Sequence, residues 1–242
     1  MQEPSTVDPG RAKGVNWSVE FCIEAWEFWS PGSGAPPVQA MPPLLRRRAS
    51  PMDRLALEVA YRLAPKGVDM PTVFASRHGE VARSVEMLIA MAKGEAPLPM
   101  GFSLSVHNAA SGLFSIARED RSASNSLASH RDLLPGSVLE ACGQLEEGAP
   151  KVLLVAFDDE LPEPYHGFAD EDPVGYALGL MLSQGRAPRY RLSGLAGGGK
   201  AEAEQRQPQA LALRAMLEDK KPELRLDEGP RAWLWQRLSP AN

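Results

Sequence analysis

The stretch KVLLVAFDD (151–159) constrains this fold more than any other part of the chain. Val152 to Phe157 are apolar without interruption, so a strand built from them has no polar face and must be covered on both sides. That is the position of a central strand in an α/β sheet. The surrounding sequence supplies covering helices. Ser50 stands at an N-cap, Pro51 at the first helical position and Asp53 at the third, and Leu55, Leu57, Val59, Ala60 and Leu63 form an apolar face that Pro65 ends. EVARSVEMLIAMAKG (80–94) places Val81, Val85, Leu88, Ile89 and Ala92 on one helical face, with Gly94 as C-cap. VLEACGQLEEG (138–148) and QALALRAMLEDKK (209–221) also read as helices.

Strand patterns alternate with these helices, which favours an α/β sheet. In WSVEFCIEAW (17–26), Val19, Phe21, Ile23 and Ala25 alternate with more polar positions. TVFASR (72–77) is a short buried strand followed by Gly79. VGYALGLMLS (174–183) and PRYRLSG (188–194), joined by the turn-rich QGRAP, are expected to pair antiparallel. SPGSGAPPVQAMPP (30–43) is a Pro/Gly loop, and RAWLWQRL (231–238) packs back on the domain. There is no internal repeat. The expected organisation is a flexible tail over 1–16 and one domain over 17–242, with a mobile Gly-rich loop near 194–206.

Composition excludes several classes. A net charge of −5 argues against a nucleic-acid-binding domain, which concentrates Lys and Arg. The dense basic run Arg46-Arg47-Arg48 reads as a solvated face, or as a surface for an acidic partner. Cys22 and Cys142 are the only cysteines, a usage that fits a reducing compartment and a cytoplasmic protein. No Cys/His spacing suggests a metal site, no cofactor is implied, and no apolar run reaches the length of a membrane span. The N-terminus lacks the apolar segment of a secretory signal.

Two catalytic motifs fail on inspection. GLAGGGKA (194–201) matches a phosphate-binding loop ending at Lys200, the basis of an alternative reading as a nucleotide-dependent transferase. Position 201 is Ala, however, and cannot supply the Mg²⁺-holding hydroxyl. Ser129 and His130 are adjacent and so seldom face one another, which weakens a serine-hydrolase reading.

Several further motifs occur in order: RRRAS opening a helix, VFASRHGE (73–80), FSLSVHNAASG (102–112), SNSLAS (124–129) and VLLVAFDDELPEP (152–164). This series resembles the short β-ketoacyl-synthase-like proteins of aryl polyene pathways, known as chain-length factors, over roughly 17–193. The resemblance implies half of a thiolase-like fold, a mixed, mostly parallel sheet with helices on both faces. In full ketosynthases a cysteine at the start of a helix carries the acyl chain, at an elbow that falls here among Ala128, Ser129, His130 and Arg131, none of them a thiol. Condensation needs a nucleophile that both accepts and leaves as a thioester, and serine would form a sluggish ester instead. The resemblance therefore implies no catalytic residue in this chain. It also implies a full-length β-ketoacyl synthase as partner, in a heterodimer or heterotetramer, with an acyl carrier protein visiting transiently. Phe102, Val106, His107, Asn108, Ala109, Gly112, Leu113 and Phe114 are the candidates for the partner interface or tunnel wall.

Overall fold

The computed structural model describes residues 15–30, 32–185, 188–196, 206–228 and 231–238. Eight strands form one sheet: β1 (Val15–Trp29), β2 (Thr72–Ala75), β3 (Ser124–Leu127), β4 (Lys151–Asp158), β5 (Tyr176–Ser183), β6 (Arg189–Ala196), β7 (Glu223–Glu228) and β8 (Arg231–Arg237). Their order is β3-β2-β4-β5-β1-β6-β8-β7. The helices are α1 (Pro43–Arg46), α2 (Pro51–Leu63), α3 (Val81–Ala92), α4 (Pro99–Ser103), α5 (Ala109–Arg118), α6 (Leu133–Glu146) and α7 (Gln209–Glu218), with a 3-10 helix over Glu163–Phe168.

β4 lies inside the sheet, buried along all but its first residue. Its side chains alternate between two cores. Leu153, Val155 and Phe157 join Phe74, Leu57, Val59 and Phe114 on the α2/α5 side. Val152, Leu154 and Ala156 join Val138, Leu213 and Trp235 on the α6/α7 side. Helices on both faces, as expected, explain the unbroken apolar run. The Ser50 capping box is present: the Asp53 N–H donates to Ser50 Oγ (2.9 Å) and the Ser50 N–H to Asp53 Oδ2 (3.0 Å).

The sheet corrects two expectations. It is mostly antiparallel: among the described strands only β2–β3 and β2–β4 run parallel, the two pairs that helical crossovers allow. Nor do β5 and β6 pair with each other, because β1 lies between them. From Cys22 to Trp29, β1 pairs with β5 on one edge, and from Val15 to Cys22 it pairs with β6 on the other. A strand of 15 residues thus offers each neighbour a full-length edge, which a local hairpin would forgo. Positions 15 and 16, assigned to the tail, belong to β1, and positions 194–196, assigned to the mobile loop, belong to β6. Trp17 packs so closely over Gly194 that a Cβ there would sit 2.7 Å from the indole. Lys200 lies outside the described residues.

Candidate functional site

Ligand sites of α/β sheets form beyond the carboxyl ends of parallel strands. Here β2, β3 and β4 deliver three loops to one place: 76–80, 128–132 and 159–175. Asp158, the last residue of β4, anchors them from a fully buried position. Its carboxylate accepts from Ser76 Oγ (2.7 Å), from the backbone N–H of Arg77 (3.0 Å) and His78 (3.4 Å), and from Tyr176 OH (3.4 Å). Burial pushes Asp158 up to about 6, against the pull of those donors.

Arg77 sits over this anchor with its side chain only 5% exposed. It pairs with Asp170 Oδ1 (2.5 Å) and Glu171 Oε2 (2.9 Å), so it clamps the 159–175 loop to the end of β2. Asp170 also receives His130 Nε2 (3.5 Å) and Arg131 Nε (3.3 Å) from the elbow. Burial alone would raise Asp170, but the Arg77 hydrogen bond and the surrounding cations hold it below the usual carboxylate range. Burial pushes neighbouring Glu171 up to about 7 despite Arg77. A cavity of about 220 Å³ opens beside the clamp, walled by His78, Asp159, His166 and Tyr176 among others.

The 128–132 loop, where the resemblance places the elbow, carries no thiol. His130 faces Asp170, and among the described residues no hydrogen bond joins Ser129 to His130. Cys142 lies buried on α6, where burial pushes its thiol up to about 12. Cys22 donates to Gly185 O (3.0 Å), and burial raises it as well. Neither supplies a thiolate near neutral pH. Among the described residues no group of three or more His, Cys, Asp or Glu is placed to hold a metal ion, and no helix is long and apolar enough to cross a membrane.

The C-terminal segment fixes the elbow from behind, a role that sequence reading missed. Gln209 Nε2 donates to Arg131 O (2.6 Å), Trp233 Nε1 donates to Asp132 Oδ1 (2.7 Å) and Arg231 pairs with Asp132 Oδ2 (2.9 Å). These partners lie 78 to 101 positions apart in the chain, so no local pattern announces them.

The structure divides the interface candidates. Phe102 is 65% and Val106 43% exposed, and Asn108 is also at the surface. Ala109, Leu113 and Phe114 face inward and pack in this chain's own core. Gly112 is half-buried, with open space where a Cβ would stand. His107 reaches Ser76 O with Nε2 (2.8 Å), and because a carbonyl only accepts, Nε2 carries the proton. Gly79, at φ +57°, passes so close that a Cβ would meet His107 Cδ2 at 2.7 Å. His107 therefore pins the loop after β2. Phe102 itself lies in α4, since Pro99 starts a short helix there.

A larger correction concerns α3. Of its apolar stripe, only Val85 is buried, while Leu88 (55%), Ile89 (44%) and Met91 (52%) are exposed. Leu98, Met100 and Phe102 of the neighbouring α4 region are exposed as well, so the two adjoining helices carry six exposed large apolar side chains between them.

Beneath that surface lies a second buried polar group. Ser50 Oγ donates to Glu80 Oε1 (2.6 Å), Arg83 pairs with Glu80 Oε2 (3.0 Å), and Asp53 sits 3.8 Å from Arg83. Arg83 also donates to the carbonyls of Arg48 (2.6 Å) and Leu104 (3.3 Å), which ties α4 to the start of α2. Burial, then the Asp53 charge, pushes Glu80 from 4.5 up to about 7. A carboxyl whose pKa is higher folded than unfolded favours folding while protonated. Its contribution is complete below about pH 4.5 and is lost as pH rises through about 7. Denaturation midpoints measured near pH 5 and pH 8 are expected to show Glu80→Gln losing less stability across that interval than the parent chain; equal losses would sink this reading.

With the geometry in place, the sequence matches the description "Beta-ketoacyl synthase, N-terminal domain" over residues 20–236. The chain belongs to this family. Its ketosynthase-like fold is similar to a solved ketosynthase (ApeO) in complex with its chain length factor (ApeC) from Xenorhabdus doucetiae. That match has a TM-score of 0.78 and 24% identity, covering 90% of this chain and 100% of the other. A second similar structure, the ishigamide ketosynthase/chain length factor, gives a TM-score of 0.57 at 13% identity, over 74% of this chain and 68% of that one. A β-ketoacyl synthase from Burkholderia phymatum STM815 gives 0.55 at 13% identity, over 78% and 58%. Comparison with curated proteins gives no match. The thiolase-like fold expected from the motif series is the fold observed.

Proposed function

We propose that this chain is a non-catalytic chain-length factor that pairs with a full β-ketoacyl synthase and shapes its acyl tunnel in aryl polyene biosynthesis. The observation that carries the reading is the elbow. A ketosynthase family member presents Ala128, Ser129, His130 and Arg131 where a thiolate nucleophile is needed, and an Arg77–Asp170 clamp crosses the same place. A chain built this way contributes a surface and leaves the chemistry to a partner's cysteine.

The exposed apolar face of α3 and α4 supports a permanent partner, since such interfaces are large and apolar. Phe102 lies on that face, and Val106 is exposed in the loop that follows α4. The ApeO–ApeC match also fits, because the chain it covers from end to end is about as short as this one. Substrates would arrive as thioesters on an acyl carrier protein and react on the partner subunit, in the cytoplasm.

Co-expression with a full-length β-ketoacyl synthase, with only this chain tagged, tests the reading. The expected product is a one-to-one or two-to-two complex that condenses acyl thioesters only when both chains are present. A monomer that ignores the ketosynthase would overturn it.

A further inference from the structure

One cavity plays no part in the elbow or the apolar face. It is a cleft of about 670 Å³ between the end of β1, the loop that follows, the start of α2 and the turn into β5. Clefts that hold small molecules are of this size, roughly 300–1,000 Å³, and combine apolar walls with a few polar groups. The Trp29 ring forms one wall. Its Nε1 donates to Gly34 O (3.2 Å), and the Arg62 guanidinium lies 5.0 Å from the ring centroid, so its orientation is fixed. Pro36 and Leu55 line the cleft as well, and Val174 and Gly175 complete it. A Cβ on Gly175 would stand 2.7 Å from Asp159 Oδ1 and 3.4 Å from Leu55 Cδ1, so glycine is what lets these walls meet.

Two charged side chains line the cleft, Arg54 and Asp159. Arg54 donates to Arg46 O (3.3 Å), and among the described residues no carboxylate pairs with it. A guanidinium stays charged at any working pH and has five donors to place. Asp159 already accepts from the Glu160 N–H (2.9 Å), and burial raises it above the usual carboxylate range. The cleft therefore presents a guanidinium that, among the described residues, is in no ion pair, beside apolar and aromatic walls.

We propose that this cleft binds an amphipathic carboxylate, its head on Arg54 and its apolar body against Trp29, Pro36 and Leu55. The inference does not depend on pairing with a ketosynthase. Titrating decanoate, decanol and acetate into the full-length chain while following tryptophan fluorescence tests it. Decanoate should give a saturable change that Trp29→Phe removes, and acetate should give none. Arg54→Ala should weaken decanoate roughly tenfold or more, the worth of a charge-assisted hydrogen bond, and leave decanol unchanged. Ala35→Phe, at an exposed position on the rim, should block decanoate while Arg54 stays in place. Equal affinity for decanoate and decanol, an unchanged affinity in Arg54→Ala, or no saturable response in the parent chain would each overturn the proposal.

Discussion

Replacing Arg77 with alanine is expected to lower the free energy of unfolding by about 3–5 kcal/mol, the loss that follows when one partner of a buried ion pair is removed. The guanidinium is 5% exposed and holds two carboxylates, so its removal takes the Arg77 pair from Glu171 and leaves Asp170 with the longer contacts to His130 and Arg131. Surface pairs of this chain, such as Arg225 with Asp227, carry no comparable effect, because water replaces the lost partner. Arg77→Lys should recover only part of the loss, since an ammonium cannot fork to both acids. The pH dependence gives an independent check. Glu171 already sits at about 7, and without Arg77 it takes up a proton more readily, so the deficit should shrink as the solution is acidified toward pH 5. Urea denaturation of both variants at two pH values measures all of this. A change below about 1 kcal/mol at neutral pH, no larger than a surface pair would give, would show that the clamp does not hold the elbow.

The same clamp shows where sequence reading stops. The Asp158 anchor beneath it was legible, because that residue closes an apolar run that could only be a central strand. The clamp was not, since Arg77 reaches Asp170 across 93 positions, with no periodicity to mark it. Local chemistry read well where it was self-contained: Ser50, Pro51 and Asp53 cap α2 as their types dictate. Pairing did not read well. β5 and β6 look like a hairpin until a 15-residue strand competes for both edges, and its pairing residues lie 148 to 180 positions upstream. α3 failed for a different reason. Periodicity reports that an apolar stripe needs covering, and it cannot say whether this chain or another provides the cover.

That ambiguity leads to the strongest test of the pairing. The double variant Leu98→Glu, Phe102→Glu is expected to weaken association with the ketosynthase by roughly a hundredfold or more, because two carboxylates would be desolvated in an apolar interface. Leu98 is 77% and Phe102 65% exposed in this chain, so the isolated fold should be indifferent to both changes and its solubility should improve. Phe114→Ala provides the contrast. Phe114 is 1% exposed, with its ring centroid 5.2 Å from Tyr61 and 5.6 Å from Phe74, so truncation should cost about 3–5 kcal/mol of this chain's own stability. Tagged pull-down with the ketosynthase, alongside a denaturation curve for each variant, separates the two outcomes. If the exposed pair weakens the complex without shifting the denaturation midpoint, the α3–α4 face is the contact. If the glutamates leave the complex intact, the partner sits elsewhere and the exposed apolar face needs a different occupant.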